Sequence, residues 1–304
     1  MIETEALTKK FGDVTAVDDL TLRVDEGEVF GFLGPNGAGK TTTVRILTCL
    51  VSKSDGEAWV DGHEIGKRGE AYLIRKATGL LPETVGMYDD LSVSKNLDYY
   101  GKLYDMGEKA RAESAERLLR MLGLWEKRAS PVGTFSKGTK QKVAIARALI
   151  HDPKVVFLDE PTANLDPESS KSIRQFILEL KKEGKTVFVN THNLDEAQRV
   201  CDRVGIMKGK LMAAGAPDVL RRSLWPARTV VRVLGKTEPA AAAIGRAGGW
   251  ALESDGDRLL IDVDDPEQDN PLIITALVSA GVRVMYVTEL SPSLEEVYLR
   301  LVGS

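Results

Sequence analysis

The chain has 304 residues, 43% apolar and 28% charged, with a mean hydropathy of −0.16, the composition of a globular protein long enough for about two domains. Lysine and arginine number 41 against 45 aspartates and glutamates, and the resulting formal charge of −4 excludes a strongly basic nucleic-acid binder. Cys49 and Cys201 are too few for a disulfide framework or a four-cysteine cluster and fit thiols of a reducing cytosol. No stretch is long and apolar enough to span a bilayer, and the opening MIETEALTKKF is not a signal peptide.

Three short runs, at 29–33, 155–158 and 186–189, are apolar at consecutive positions and rich in β-branched or aromatic residues. That pattern predicts strands covered on both faces, as in a parallel sheet between helices. Polar groups follow each run: Gly34 onward, Asp159-Glu160, and Asn190-Thr191-His192. Ligands of open α/β sheets bind at the carboxyl ends of strands, so the three tips are expected to converge on one crevice. A helix is expected over 42–50. Ala115, Leu118, Leu119 and Leu122 recur at helical spacing before Gly123, which marks a mostly helical insert at about 88–150.

A second composition begins after Leu224-Trp225-Pro226, giving expected domains at 1–224 and 225–304. The later segment predicts a strand at 230–233 and an Ala-rich helix at 239–247. Strands at 250–253 and 258–263 flank a Ser254-Asp-Gly-Asp257 turn, followed by a helix at 272–280 and a strand at 282–287. This βαββαβ order is that of a small α+β, ferredoxin-like unit. A last helix opens with Ser293 and Glu296 at capping-box spacing.

The first chemical motif is Gly34-Pro-Asn-Gly-Ala-Gly-Lys-Thr41, which fits G-x-x-x-x-G-K-[ST] between a strand and a helix. Backbone N–H groups of Gly34, Asn36, Gly37, Ala38, Gly39 and Thr42 are candidates to cradle a phosphate at a helix N-terminus. Lys40 reaches the β and γ phosphates in such loops, and the Thr41 hydroxyl holds Mg²⁺. Asp159 closes the second apolar run as a candidate for the Mg²⁺ shell, and Glu160 beside it is placed to polarise an attacking water. The core reads as a nucleoside triphosphatase.

Further motifs resemble the ATP-binding cassette (ABC) ATPase family across most of the first domain. Phe11, in Leu7-Thr-Lys-Lys-Phe-Gly, matches the aromatic on which the family stacks adenine. Leu80-Leu-Pro-Glu83 matches a segment that usually ends in a glutamine near the metal. Phe135-Ser-Lys-Gly-Thr139 matches the signature normally written LSGGQ, Ala163-Asn-Leu-Asp166 the loop at the dimer interface, and Thr191-His192 the switch histidine. The resemblance implies a P-loop cassette with a helical subdomain, ATP and Mg²⁺ as ligands, and Thr41, Asp159 and Glu83 around the metal. It implies Glu160 as general base, with His192 and Lys40 completing the catalytic set. Two copies would face head to tail, so that Ser136 and Gly138 of one touch the nucleotide of the other. Three positions depart from the pattern: Glu83 for glutamine, Lys137 for the first signature glycine and Thr139 for the signature glutamine.

These departures and the C-terminal Leu290-Ser-Pro-Ser-Leu-Glu-Glu-Val-Tyr298 resemble the drug-resistance, sodium-extrusion and nodulation-type export ATPases. That branch implies a cytoplasmic protein, peripheral on the inner face of the membrane, whose second subunit is a homodimer mate and whose permease is a separate transmembrane chain. The remaining alternatives are a soluble ABC ATPase acting on ribosomes or DNA and an ATP-dependent regulatory dimer. A single phosphate loop and no sustained heptads disfavour the first, and intact Glu160 and His192 the second.

Overall fold

In the computed structural model the three apolar runs are neighbouring strands of one sheet. The structure describes residues 1–224, 227–290 and 293–303; Trp225-Pro226, at the expected domain boundary, and Ser291-Pro292, in the C-terminal motif, lie outside the described residues. Two compact units are present, Met1–Pro217 and Asp218–Ser304.

The first unit begins with β1 (Ile2–Phe11), β2 (Val14–Val24) and β3 (Val29–Leu33), then α1 (Lys40–Leu47), β4 (Asp55–Val60), β5 (His63–Glu64), α2 (Glu70–Ala77) and β6 (Thr78–Leu81). The helical insert holds α3 (Val93–Leu103), α4 (Glu108–Met121) and α5 (Lys137–Leu149). The chain returns through β7 (Val155–Asp159), α6 (Pro167–Lys182), β8 (Thr186–Thr191), α7 (Leu194–Val200), β9 (Arg203–Lys208) and β10 (Lys210–Gly215), and α8 (Pro217–Leu224) starts at the boundary between units.

Strands β9, β3, β8, β7 and β6 run parallel in that order, with β10 antiparallel at one edge, and β2-β1-β4-β5 form a separate antiparallel sheet. Every residue of β3, β7 and β8 is buried, the physical reason for their unbroken apolar character. Phe30, Phe32, Phe157 and Phe188 fill the space between the sheet and its cover, with Phe188 ring centroids 5.3–5.5 Å from the other three.

Helix α1 starts two residues before the expected 42 and stops three before 50. Gly39, at φ 96°, opens it in the left-handed region, and Cys49, at φ 55°, turns the chain away at the other end.

The second unit contains β11 (Ala227–Val233), α9 (Glu238–Ala247), β12 (Leu252–Asp255), β13 (Arg258–Val263), α10 (Pro266–Ser279), β14 (Val284–Leu290) and α11 (Leu294–Gly303). Its sheet is antiparallel in the order β12-β13-β11-β14, over a core of Val231, Leu259, Ile261, Ile244 and Leu277. The hairpin is tighter than expected, since β12 runs through Ser254 and Asp255 and pairs Asp255 with Arg258. Helix α10 begins at Pro266 rather than 272: Asp265 caps it by accepting from Glu267 N at 3.0 Å, and Pro271, which reads as a breaker in sequence, lies inside the helix. Strand β14 ends at Leu290, three residues later than expected, because its pairing with β11 continues to Arg228.

Candidate nucleotide-binding site

Parallel pairing brings the carboxyl ends of β3, β7 and β8 to one edge. Leu33 lies opposite Thr191, and Asp159 opposite Asn190. The turn residues beyond these pairs border a cleft of about 520 Å³, lined by residues 36–42, Glu83, Glu160, Ala163, Asn164, Asn190, His192 and Ala16. Asn36, Gly37, Ala38, Gly39, Lys40, Thr41, Thr42, Glu83, Glu160 and His192 are therefore brought together from four segments of the chain.

Gly39 cannot carry a side chain here: a Cβ would lie 2.1 Å from the Ala16 carbonyl oxygen, and its φ is left-handed. Gly34 is not in the cleft lining but supports it from beneath, where a Cβ would meet the Met207 carbonyl oxygen at 2.3 Å. No side chain caps α1, so its first N–H groups remain available at the cleft, a ready anion site.

Lys40 is 6% exposed and donates from Nζ to the carbonyl oxygens of Gly34 at 2.7 Å and Pro35 at 3.1 Å. Burial draws its ammonium below the usual range, against the pull of Glu160, Asp159 and Glu83. Asp159 is also buried, and burial raises its carboxyl above the ordinary carboxylate range. Hydrogen bonds from Thr41 and Asn190 work the other way. Thr41 Oγ1 is 3.5 Å from Asp159 Oδ1, and Asn190 donates its amide to the same oxygen.

Glu160 follows in a left-handed conformation at φ 50°, held by its own N–H donating to the Asn190 carbonyl oxygen at 2.8 Å. Its Oε1 is 2.8 Å from His192 Nδ1. The Glu160 side chain is 12% exposed and that of His192 61% exposed, so the pair stands at the mouth of the cleft with the imidazole outermost.

Other sequence candidates lie elsewhere. Phe11 ends β1 with its ring 51% exposed and Lys9 Nζ 4.7 Å from the ring centroid, outside the cleft lining. Ser136 caps α5, and Gly138 is packed so closely on α6 that a Cβ would meet Ser169 Oγ at 2.2 Å; neither lines this chain's own cleft. Glu83, by contrast, does line the cleft, from the exposed segment after β6.

Ala16 and Asn190 belong to the cleft although sequence reasoning assigned them no role. A polar residue closing an otherwise apolar strand was the available signal for Asn190. Ala16 carried none, because it arrives from the other sheet.

Residues 17–163 match the family model described as ABC transporter. The chain is 34% identical to the daunorubicin resistance ATP-binding protein DrrA3 of Streptomyces coeruleorubidus, over 99% of this chain and 96% of that protein. It is equally identical to the Nod factor export ATP-binding protein I of a Rhizobium species, over 99% and 97%. It is 30% identical to the linearmycin resistance ATP-binding protein LnrL of Bacillus subtilis, over 100% and 98%. Among solved structures, the ATP-binding subunit of an ABC transporter superposes with a TM-score of 0.67 at 30% identity, covering 73% of this chain and 92% of that one. A dimeric post-hydrolysis state of the cassette MJ0796 bound to ADP and Pi gives 0.65 at 28% identity, covering 71% and 98%. No helix among the described residues is long and apolar enough to cross a membrane. With relatives matched over nearly their whole length, the chain belongs to the ABC transporter family as an ATP-binding, ATP-hydrolysing subunit.

Proposed function

We propose that two copies of this chain pair head to tail around two ATP molecules and power export through a separate transmembrane permease. The carrying observation is the meeting of Lys40, Thr41, Asp159, Glu160 and His192 at one sheet edge. Lys40 and the N–H groups of residues 36–42 hold the β and γ phosphates, replacing the loop carbonyls as the lysine's partners. Glu160 accepts a proton from the attacking water at its carboxylate, and His192 holds that carboxylate and the water in line. The bond between the γ phosphorus and the bridging oxygen then breaks to leave ADP and phosphate.

The donor set fits Mg²⁺. Thr41, Asp159 and Glu83 offer oxygen only, and Asn190 Oδ1 is buried at the cleft without a partner. Among the described residues, no three His, Cys, Asp or Glu side chains cluster to hold a metal by themselves. Mg²⁺ arriving with its nucleotide needs no more than one or two protein oxygens. Thr41 and Asp159 would hold it, with Glu83 at the outer edge, and it supplies neutralisation of phosphate charge.

Adenine stacks on the exposed Phe11 ring. Ser136 and the Gly138 backbone, at the N-terminus of α5, face the nucleotide of the second copy, where the helix dipole favours an anion. Residues 1–224 form the cassette, and residues 225–304 an accessory unit that steadies or regulates the dimer. The name Nod factor export, beside the names daunorubicin resistance and linearmycin resistance, supports outward transport, and the branch resemblance extends the candidate cargo to a small molecule, a lipid-linked compound or an ion. The permease would hold the protein at the inner face of the membrane.

Purification of the tagged chain from mildly solubilised host membranes tests this reading. A polytopic membrane protein is expected in near-equal amount. Co-purifying ribosomes or nucleic acid in its place would overturn the transporter assignment.

A further inference from the structure

Glu196, on α7, is outside the cleft and 1% exposed. Its Oε2 accepts from Thr162 Oγ1 at 2.6 Å and from Thr191 Oγ1 at 3.4 Å, while Oε1 is buried with no partner. Burial raises its carboxyl above the ordinary range, and the two threonine hydroxyls and Arg174 oppose that rise. A carboxylate in this position is costly for stability, since a buried charge gives up the hydration that water would supply. An apolar residue of similar size would pack α7 against its neighbours without that cost.

The two threonines are informative. Thr162 stands two residues after Glu160, and Thr191 immediately precedes His192. Strands β7 and β8 keep their regular pairing only as far as Asp159 and Asn190, with one further bond from Glu160 N to Asn190 O. Beyond that point the two chain segments turn apart, one toward Asp166 and α6, the other toward Asn193 and α7. Glu196 rejoins them. The Glu160–His192 contact therefore sits directly beside two ties, the Glu160–Asn190 backbone bond and the Thr162–Glu196–Thr191 bridge. The second tie is itself braced: Thr191 Oγ1 accepts from Asn193 N at 3.0 Å, and Asn193 Oδ1 accepts from Glu196 N at 3.0 Å.

We infer that Glu196 is a positioning residue for ATP hydrolysis, which holds the segment carrying Glu160 and the segment carrying His192 at the spacing their 2.8 Å contact requires. The inference rests on the roles proposed above for Glu160 and His192. Glu196 does not touch nucleotide and acts through the two threonines.

Steady-state ATPase kinetics on the full chain test it with Thr162→Val, which keeps the shape of the side chain and removes the hydroxyl, and Thr162→Ser, which restores the hydroxyl. Thr162→Val is expected to lower kcat about tenfold with KM for MgATP within about twofold, the signature of an interaction used at the transition state. Thr162→Ser is expected to return kcat to within about threefold of wild type. Glu196→Asp withdraws the carboxylate by one methylene while keeping its charge; it is expected to show the same kcat loss and is read in its place if Thr162→Val does not fold. Unchanged kcat in both Thr162→Val and Glu196→Asp, a rise in KM with kcat preserved, or a serine variant no better than valine would overturn the inference. Glu160→Gln assayed alongside separates the two readings. If Glu160→Gln loses turnover while Thr162→Val and Glu196→Asp keep it, only the positioning role fails; if Glu160→Gln turns over like wild type, the general-base role fails and the inference with it.

Discussion

His192 Nδ1 lies 2.8 Å from Glu160 Oε1, although the two residues are 32 positions apart in the chain. The contact follows from sheet register: Asp159 is opposite Asn190, so the residue after Asp159 and the second residue after Asn190 emerge side by side. An acid and an imidazole at the mouth of a phosphate cleft can together hold a water and take its proton.

Replacing Glu160 by Gln keeps the side-chain shape and removes the base. Turnover is expected to fall by about a hundredfold or more, while ATP binding survives. In the proposed head-to-tail pair, separation of the two copies needs hydrolysis, so this variant is expected to remain a dimer under saturating ATP, which light scattering measures directly. A monomeric variant, or one with wild-type turnover, would contradict the assignment.

Lys40→Ala removes the cation buried between the phosphate loop and the strand tips. Affinity for ATP is expected to fall by about a hundredfold or more, with the far-ultraviolet circular dichroism unchanged. Titration calorimetry with MgATP checks it, and affinity equal to wild type would remove Lys40 from the site.

Gly138→Ala places a Cβ 2.2 Å from Ser169 Oγ and 2.7 Å from Ser169 Cβ. Overpacking of this kind costs about 1–3 kcal/mol, so urea unfolding is expected to shift to lower midpoints. Ser169→Gly in the same chain is expected to recover most of the loss. If it recovers none, the close approach of α5 and α6 is not the cause.

His151 links acidity to stability. Its ring stacks on Tyr104 with centroids 3.6 Å apart, Nε2 is 3.0 Å from the Thr78 carbonyl oxygen, and Nδ1 is buried without a partner. Burial pushes the imidazole down from 6.5 to about 4. Between those values the unfolded chain binds a proton that the folded chain refuses. Stability is therefore full above the unfolded value and declines as pH falls through this window. From pH 7 to pH 5 the wild type is expected to lose about 2 kcal/mol more than His151→Gln, measured by urea unfolding at both pH values. Equal losses would place the acid sensitivity in other groups.

Much of the site was legible because its parts are local. Gly34 to Thr41 is a contiguous loop whose glycines, lysine and threonine each answer a local demand, namely a left-handed turn at Gly39, close backbone approach at Gly34, and charge at Lys40. The apolar runs ending in Asp159 and Asn190 were equally plain, because burial on both faces leaves no room for alternation. The boundaries of α1 and α10 were not, because Gly39, Asp265 and Pro271 are read through backbone geometry rather than residue type.

The residue order alone shows a glycine-rich strand-to-helix turn of phosphate-loop pattern, and an acid pair and a histidine at the ends of two further buried strands. The packing of the folded chain sets the rest: Asn190 holds Asp159, Ala16 walls the cleft from a different sheet, Gly138 admits Ser169, and Glu196 joins Thr162 to Thr191. Each of these relations depends on register between segments distant in the chain. Hydrophobic periodicity specifies which face of a strand or helix is buried, but the partner across that face is chosen by packing, a property of the assembled layers.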